Sequence, residues 1–304
     1  MCIRDRYYEG WKKEEKQMAI IVNTNMSSLI AQRNLTNATN GLNTALQRMS
    51  TGYKVNKAAD DAAGMFIATN LETQIRGSKV AQTNVKTGTN LLQIAEGDIE
   101  LLEDNLLRMR DLAVQAANSV YSEESMQAMA EEVRYRAKEI TRVATASQFN
   151  GLHLLDGTGL HDGLRLQVGP NADEAQNSMV IDASVFSATD ADTLLGDDAE
   201  GTITTAFESA TNAAAFIETL DGALLDLNTR KATIGAYQNR LDSALDSLVT
   251  NVENSTEARS TIVDADIAEE AANYTKYQIL QQSTAALLTQ ANQLPALALQ
   301  LIGG

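Results

Sequence analysis

Apolar residues recur along this chain at alternating steps of three and four, in four separate stretches. The first runs Leu35, Ala38, Leu42, Ala45, Met49, and the second Leu92, Ala95, Ile99, Leu102, Leu106, Met109, Ala113. The third runs Ile217, Leu220, Leu224, Leu227, Lys231, Ile234, Gln238, Leu241, Leu245, Leu248, Val252, interrupted only by Lys231 and Gln238. The fourth is Leu280, Thr284, Leu287, Ala291, Leu294, Ala298, Leu301. This spacing gathers a stripe on one face of an α-helix, and over three or more heptads it is the seam of a coiled coil. A helix over residues 210–260 would be ~75 Å long, and its stripe would need partner helices along its whole length.

The intervening segments read as breaks. Residues 50–64, STGYKVNKAADDAAG, hold Gly52, Gly64 and an Asp60-Asp61 pair suited to capping a new helix, and predict a bent connector. Residues 118–125 predict a turn, and Glu123 and Glu124 suit the start of a helix reaching about residue 146. From residue 150 the chain is rich in Gly, Asp and Asn, with an alternating run from Leu164 to Val168, the pattern of β-hairpins. Residues 189–205 are acidic and rich in small side chains, and are expected to form a surface excursion. Pro295 falls inside the last helical pattern and should bend that helix or end its regular part.

Charge separates the terminal stripes from the central ones. Between residues 19 and 47 the only ionised side chain is Arg33, and between residues 277 and 304 there is none. A helix facing water carries Glu, Lys and Arg on its outer side; here the polar positions are Asn, Gln, Ser and Thr. A charge on such a helix would meet its like-signed image wherever identical copies packed together, with a repulsion that grows as water is excluded. The two ends are therefore expected to be a self-assembly device, with Leu35, Leu42, Met49, Leu280, Leu287, Leu294 and Leu301 as its subunit-assembly residues. Isolated helices of this kind are marginal in water, so their ordering is expected to accompany assembly. The central stripes are read as structural, with Leu92, Ile99, Leu102, Leu106, Met109, Leu220, Leu227, Ile234, Leu241 and Leu248 as the core of a rod.

The 304 residues carry a formal charge of −16, which argues against a nucleic-acid partner. No Lys or Arg occurs over residues 166–229, while Asp173, Glu174, Asp182, Asp190, Asp192, Asp197, Asp198 and Glu200 crowd part of that stretch. This reads as a solvated acidic surface. A calcium loop at Asp190 and Asp192 would lack the third ligand, the turn glycine and the closing Glu. His153 and His161 lack the spacing of a metal pair, and Gly157-Thr158-Gly159 is too short for a phosphate cradle. No nucleophile elbow or zinc-protease motif occurs. These residues predict neither an enzyme nor a cofactor.

The first seventeen residues, MCIRDRYYEGWKKEEKQ, differ from the rest. They hold Cys2 and Trp11 and have no apolar core, so they are neither a signal peptide nor a membrane segment. Lys13-Glu14-Glu15 can be encoded by a purine run that spells a bacterial ribosome-binding sequence just ahead of Met18. Residues 1–17 are thus expected to be a non-native leader, with translation starting at Met18. From there on there is no cysteine and hence no disulfide.

From Met18 onward the chain resembles the bacterial flagellins. The resemblance rests on seven motifs in order: IVNTNMSSLIAQRNL (21–35), LQRMSTGYKVNKAADDAAG (46–64), LLRMRDLAVQAANS (106–119), SQFNGLHLL (147–155), AYQNRLDSAL (236–245), ARSTIVDADIAEEAANYTKYQILQQ (258–282) and LLTQANQLPALALQLI (287–302). It implies a mainly α fold in which long antiparallel coiled-coil helices from both chain ends form a rod, with a small β-hairpin region in the middle. It further implies an inner assembly domain from residues 18–58 and 268–304, a rod domain with the β region from 59–175 and 206–267, and a short acidic variable segment over 176–205.

The implied function is a structural subunit that is exported unfolded, polymerises at the tip of the flagellar filament outside the cell, and serves motility. Its implied partners are copies of itself in a helical homopolymer, an export chaperone, and cap and hook-junction proteins. The resemblance also implies a surface for a host innate immune receptor at Arg108, Leu112 and Glu139, although Leu107 and Asp111 stand where the family usually has Gln and Glu. The alternatives are a hook–filament junction protein and a non-enzymatic coiled-coil adaptor. A membrane-surface helix at the C-terminal end is disfavoured by its lack of Lys and Arg, and no membrane insertion is expected.

Overall fold

The computed structural model describes the backbone of residues 24–160 and 162–302, and side chains as far as residue 293. The elements in order are helices α1 (Met26–Thr51), α2 (Ala62–Ala116) and α3 (Glu123–Ala146), strands β1 (Gln148–Phe149), β2 (Leu152–His153) and β3 (Leu164–Gln167), the short helix α4 (Glu174–Asn177), strand β4 (Ser178–Ile181), a 3-10 turn (Ala183–Phe186), and helices α5 (Ala191–Leu195), α6 (Ala199–Ala206), α7 (Ala210–Val263) and α8 (Ile267–Ile302). The fold is mainly α with two small antiparallel hairpins, as the heptad stripes and the Gly-rich middle predict. The chain divides into two compact units, Met1–Phe66 with Thr261–Gly304, and Ile67–Ser260. The leader of residues 1–17 and the expected start at Met18 lie outside the described residues.

In the first unit, short polar side chains set the helix ends. The Asn25 side chain accepts the backbone N–H of Ser28 at 3.0 Å and opens α1. Gly52, at φ +75°, closes it by donating to the Arg48 carbonyl at 2.8 Å. The Asp60-Asp61 pair divides its work. Asp61 accepts the N–H of Gly64 at 2.9 Å at the start of α2, whereas Asp60 folds back on the connector and accepts the N–H groups of Lys57 and Asn56 at 2.9 and 3.1 Å. Those two N–H groups hold the Asp60 carboxyl below the ordinary range. The connector is stitched to the α7–α8 junction, because Lys54 donates to the Val263 carbonyl at 2.6 Å and Ala265 donates to that of Gly52 at 2.9 Å. Helix α8 continues through Pro295 to Ile302 rather than ending there.

The second unit is built on the central stripes. Leu92, Ala95, Ile99, Leu102, Leu106, Met109 and Ala113 of α2 are fully buried. They share one core cluster with Val133 and Ile140 of α3 and with Leu220, Leu227, Ile234, Leu241 and Leu248 of α7. Along α7 the other seam positions, Ile217, Leu224, Lys231, Gln238, Leu245 and Val252, are half-buried, as at the rim of a coiled-coil seam. Strands β1 and β2 join through Asn150 and Gly151, both at positive φ, the turn that suits the twist of a two-residue hairpin. Strand β3 pairs with β4 in the register Leu164↔Ile181 to Gln167↔Ser178. This second hairpin lies close on α2, with Leu166 against Gly88 and Pro170 against Gly77, where any larger residue would collide.

Residues 189–205 are not a surface excursion. They form α5 and α6, and Ala191, Leu195, Ala199, Ile203 and Ala206 are buried in the main core. These five recur every three or four residues, a helical stripe of mostly small side chains that the density of carboxylates obscures. Several carboxylates of this region serve as caps: Asp198 accepts the N–H of Gly201 at 2.9 Å, Asp192 that of Ala199 at 3.1 Å, and Asp182 that of Ser184 at 2.8 Å.

Two outcomes follow. Replacement Ile203→Ala should lower the unfolding free energy by about 2–5 kcal/mol, as a core truncation does, and denaturant titration checks it; a surface position would change by less than about 0.5 kcal/mol. The stabilisation from Asp60 is fully present above the ordinary Asp pKa and is lost as pH falls through its lowered folded value. Thermal melting of the parent should therefore fall on acidification below about pH 4, and Asp60→Asn should flatten part of that dependence while lowering the melting temperature at neutral pH.

Candidate assembly surface

The ends of the described chain meet as an antiparallel pair. The inner face of α1 is narrow, because Ala31, Ala38 and Ala45 are buried at seven-residue intervals, flanked by half-buried Leu35, Leu42 and Met49. Helix α8 answers with bulkier and more polar residues: Glu270, Thr284 and Ala291 are buried, and Tyr274, Tyr277, Gln281 and Leu288 are half-buried. The ring of Tyr277 lies over Gly41 so closely that a Cβ there would sit 2.6 Å from it.

Hydrogen bonds between uncharged groups fix this register. The Asn25 amide donates to the Ala291 carbonyl at 2.7 Å, Ser28 Oγ to Asn292 Oδ1 at 2.7 Å, and the Gln281 amide to Thr39 Oγ1 at 3.1 Å. At the far end Arg48 meets the nearly buried Glu270 at 2.9 Å. Such a pair adds directionality, and either partner left alone would carry the full desolvation penalty.

The outer sides of the two helices are apolar and almost uncharged. Met26, Leu29, Ile30 and Leu46 of α1 are exposed, as are Ile279 (58%), Leu280 (42%) and Leu287 (57%) of α8. Among the described side chains of α8 beyond Lys276 none is ionisable except Tyr277, and the exposed face of α1 carries Arg33 as its one charge before residue 48. Several contiguous exposed apolar side chains on one helix pair mark a surface that another protein covers.

The expected assembly residues therefore divide. Leu35, Leu42 and Met49 are half-buried on the side of α1 that faces α8 of the same chain. Leu280 and Leu287 lie outside that seam and face outward. Leu294 and Leu301 fall outside the described side chains. The stripe of α8 that meets α1 is Tyr277, Gln281, Thr284, Leu288 and Ala291, because the small residues of α1 leave room for a tyrosine ring and for groups that hydrogen-bond across the seam. Met26, Leu29, Ile30, Leu46 and Ile279 were not among the expected residues. Their signal in the sequence is that they are apolar yet out of phase with the stripe, in segments almost without charge.

The expected receptor residues do not form one exposed patch. Arg108 is exposed and donates to Glu132 at 2.9 Å. Glu139 is bound by Arg142 at 2.6 and 2.8 Å, and that hydrogen bonding holds its carboxyl below the usual range. Leu112 is 3% exposed and belongs to the core, so its place on the surface is corrected: it continues the inner face of α2 one turn beyond Met109. His153 lies 3.3 Å from Asp156, and His161 is outside the described residues. Among the described residues no group of three or more His, Cys, Asp or Glu is placed to hold a metal, and no helix is long and apolar enough to cross a membrane.

Comparison with known proteins identifies the family. Residues 22–159 match the family model of the bacterial flagellin N-terminal helical region, and residues 217–302 that of the bacterial flagellin C-terminal helical region. The chain is 36% identical over 293 residues to a flagellar filament 33 kDa core protein of Treponema phagedenis, covering 93% of this chain and all of that one. It is likewise 36% identical over 283 residues to a flagellin of Halalkalibacterium halodurans, with 93% and 100% covered. A solved structure described as a flagellar hook-associated protein from Vibrio parahaemolyticus shares the fold at 17% identity and a TM-score of 0.56, over 67% of this chain and 100% of that one. With both terminal helical regions matched and relatives of this identity aligned over their whole length, the chain belongs to the bacterial flagellin family.

Proposed function

We propose that this flagellin builds its filament by burying the almost uncharged outer faces of α1 and α8 against other copies of itself. As a member of the family the chain is a structural subunit of the flagellar filament, outside the cell. The finer reading rests on one observation: Ile279, Leu280 and Leu287 stay exposed after α8 has satisfied α1, on a helix face that carries no charge beyond Lys276. Burying ~1,000 Å2 of such surface per subunit is worth ~25 kcal/mol before ordering costs. Those costs run to ~1–2 kcal/mol for each residue newly fixed, so the polymer forms with a modest net gain. A contact between unlike patches, repeated with a rotation that does not close, gives an open helical polymer.

In this reading residues 18–58 and 268–304 act as the inner assembly domain. Residues 59–175 and 206–267 act as the rod, and the carboxylates of residues 176–205 face outward. Export in an unfolded state, addition at the distal tip, and contacts with a chaperone, a cap and hook-junction proteins complete the proposed cycle. Recognition by a host innate immune receptor would use Arg108 and Glu139 from the surface, with Leu112 acting only by supporting the helix beneath them.

Replacement Leu287→Asp or Ile279→Asp should abolish elongation of filament seeds, followed by light scattering and electron microscopy, while leaving the circular dichroism of the monomer within error of the parent. Growth of normal filaments by both variants would remove these faces from the assembly surface.

A further inference from the structure

Helices α2 and α7 are 55 and 54 residues long and share a seam of leucine and isoleucine at heptad spacing. A seam of this kind is nearly self-similar under a shift of seven residues, because each apolar layer is replaced by another. Something other than apolar burial has to select one register. Four polar contacts span the pair, all within the unit Ile67–Ser260. Arg110 donates to Asp221 at 2.6 Å, Lys231 to Glu103 at 3.3 Å and the Gln238 amide to Glu96 at 2.8 Å, and Arg259 meets Glu72 at 3.1 Å. Lys231 and Gln238 are the two polar residues in the α7 seam, and they are seven apart, as are their partners Glu103 and Glu96.

We infer that these four contacts are a register lock, which selects one pairing of α2 with α7 by penalising the two pairings shifted by one heptad. The charges of the shifted states carry the argument. In one direction Lys231 moves from Glu103 to Glu96, which is tolerable. In that state, however, Asp221 leaves Arg110 and meets Glu103, Gln238 meets Thr89, and Arg259 reaches Met65. In the other direction Lys231 meets Arg110 and Arg259 meets Lys79, two like-charged pairs, while Asp221 faces Ala117. Each shift thus exchanges an attraction for a repulsion, and only the observed register satisfies all four contacts. Three of the four contacts, Lys231–Glu103, Gln238–Glu96 and Arg259–Glu72, sit at the half-buried rim of the seam, where charge interactions are less screened than in open water, and Arg110–Asp221 is more exposed. The hydrogen bond that Lys231 donates to Glu103, with Glu100 and Glu96 nearby, also holds its ammonium above the ordinary range, so the rung stays charged. Polar residues at single seam positions that fix register at some expense of stability are well attested in coiled coils. The inference concerns folding of the subunit and stands whether or not the filament grows.

The test uses the full chain with Cys2→Ser and spin labels at Thr87→Cys and Ser243→Cys, both exposed, refolded from denaturant. Pulsed electron–electron resonance should give one distance for this labelled parent. Removing the lock with Glu96→Leu, Glu103→Leu, Lys231→Leu and Gln238→Leu together should add a second population displaced along the helix axis by ~10 Å, the length of one heptad. A milder variant, Glu103→Gln with Lys231→Gln, keeps a hydrogen-bonding rung but removes its charge, and should show the displaced population at a smaller fraction. It carries the same test if the leucine variant does not refold. A single unshifted distance after refolding, in either soluble variant, would overturn the inference.

Discussion

A helix whose inner face is Ala31, Ala38, Gly41 and Ala45 has little apolar side chain of its own to bury, and gains by letting a bulky partner come close. Helix α8 provides that partner from more than two hundred residues away, with Tyr277 set into the space over Gly41 and Thr284 and Ala291 buried along the same side. The pairing of the two chain ends is the constraint from which the rest of the first unit follows. It places the connector after α1 beside the junction before α8, where their backbones are stitched together. It also turns Ile279, Leu280 and Leu287 outward, since the face of α8 that fits α1 is occupied by other residues.

The two units solve the problem of coverage in opposite ways. In Ile67–Ser260 the long stripes are closed inside the chain, and carboxylates and cations populate the outer faces, where Arg108, Arg142 and Arg165 each find an acid. In the α1–α8 pair the seam is held by amide and hydroxyl groups, and the outer faces lack charge over most of their length. Lone charges on that surface would be desolvated by any neighbouring copy without compensation. Neutral amides and hydroxyls instead offer both donors and acceptors, so they can pair with their own kind.

Much of this organisation is legible in the sequence because it is periodic. The heptads from Leu92 to Ala113 and from Ile217 to Val252 locate helices whose burial follows the same alternation, and the run Leu164 to Val168 marks the strand that pairs with β4. The parts that were not legible are those where a second pattern hides the first. Carboxylates mask the stripe of Ala191, Leu195, Ala199, Ile203 and Ala206, because caps and core share one short segment. The phase of α8 is hidden for another reason: its inner face carries Glu270, Gln281 and Thr284, while two of its larger apolar residues, Leu280 and Leu287, point away. Reading apolar as inward fails where a surface is meant to be covered by something outside the chain. Leu112 shows the converse, a residue assigned to the surface by resemblance that its own periodicity places in the core.

A chain built from repeated leucine layers carries a risk that ordinary cores do not, since a wrong pairing can bury nearly as much apolar surface as the right one. The information that separates them has to reside in the few positions where the repeat is broken. Lys231 and Gln238 are such positions, and each weakens the apolar seam at the layer it occupies. The compensation is selectivity, because an acid on α2 awaits each of them only when Arg110 and Arg259 are also matched to Asp221 and Glu72. The same logic runs through both units. Apolar stripes supply most of the burial, whereas a small set of polar groups, charged between α2 and α7 and mostly neutral between α1 and α8, decides which of the available pairings is formed.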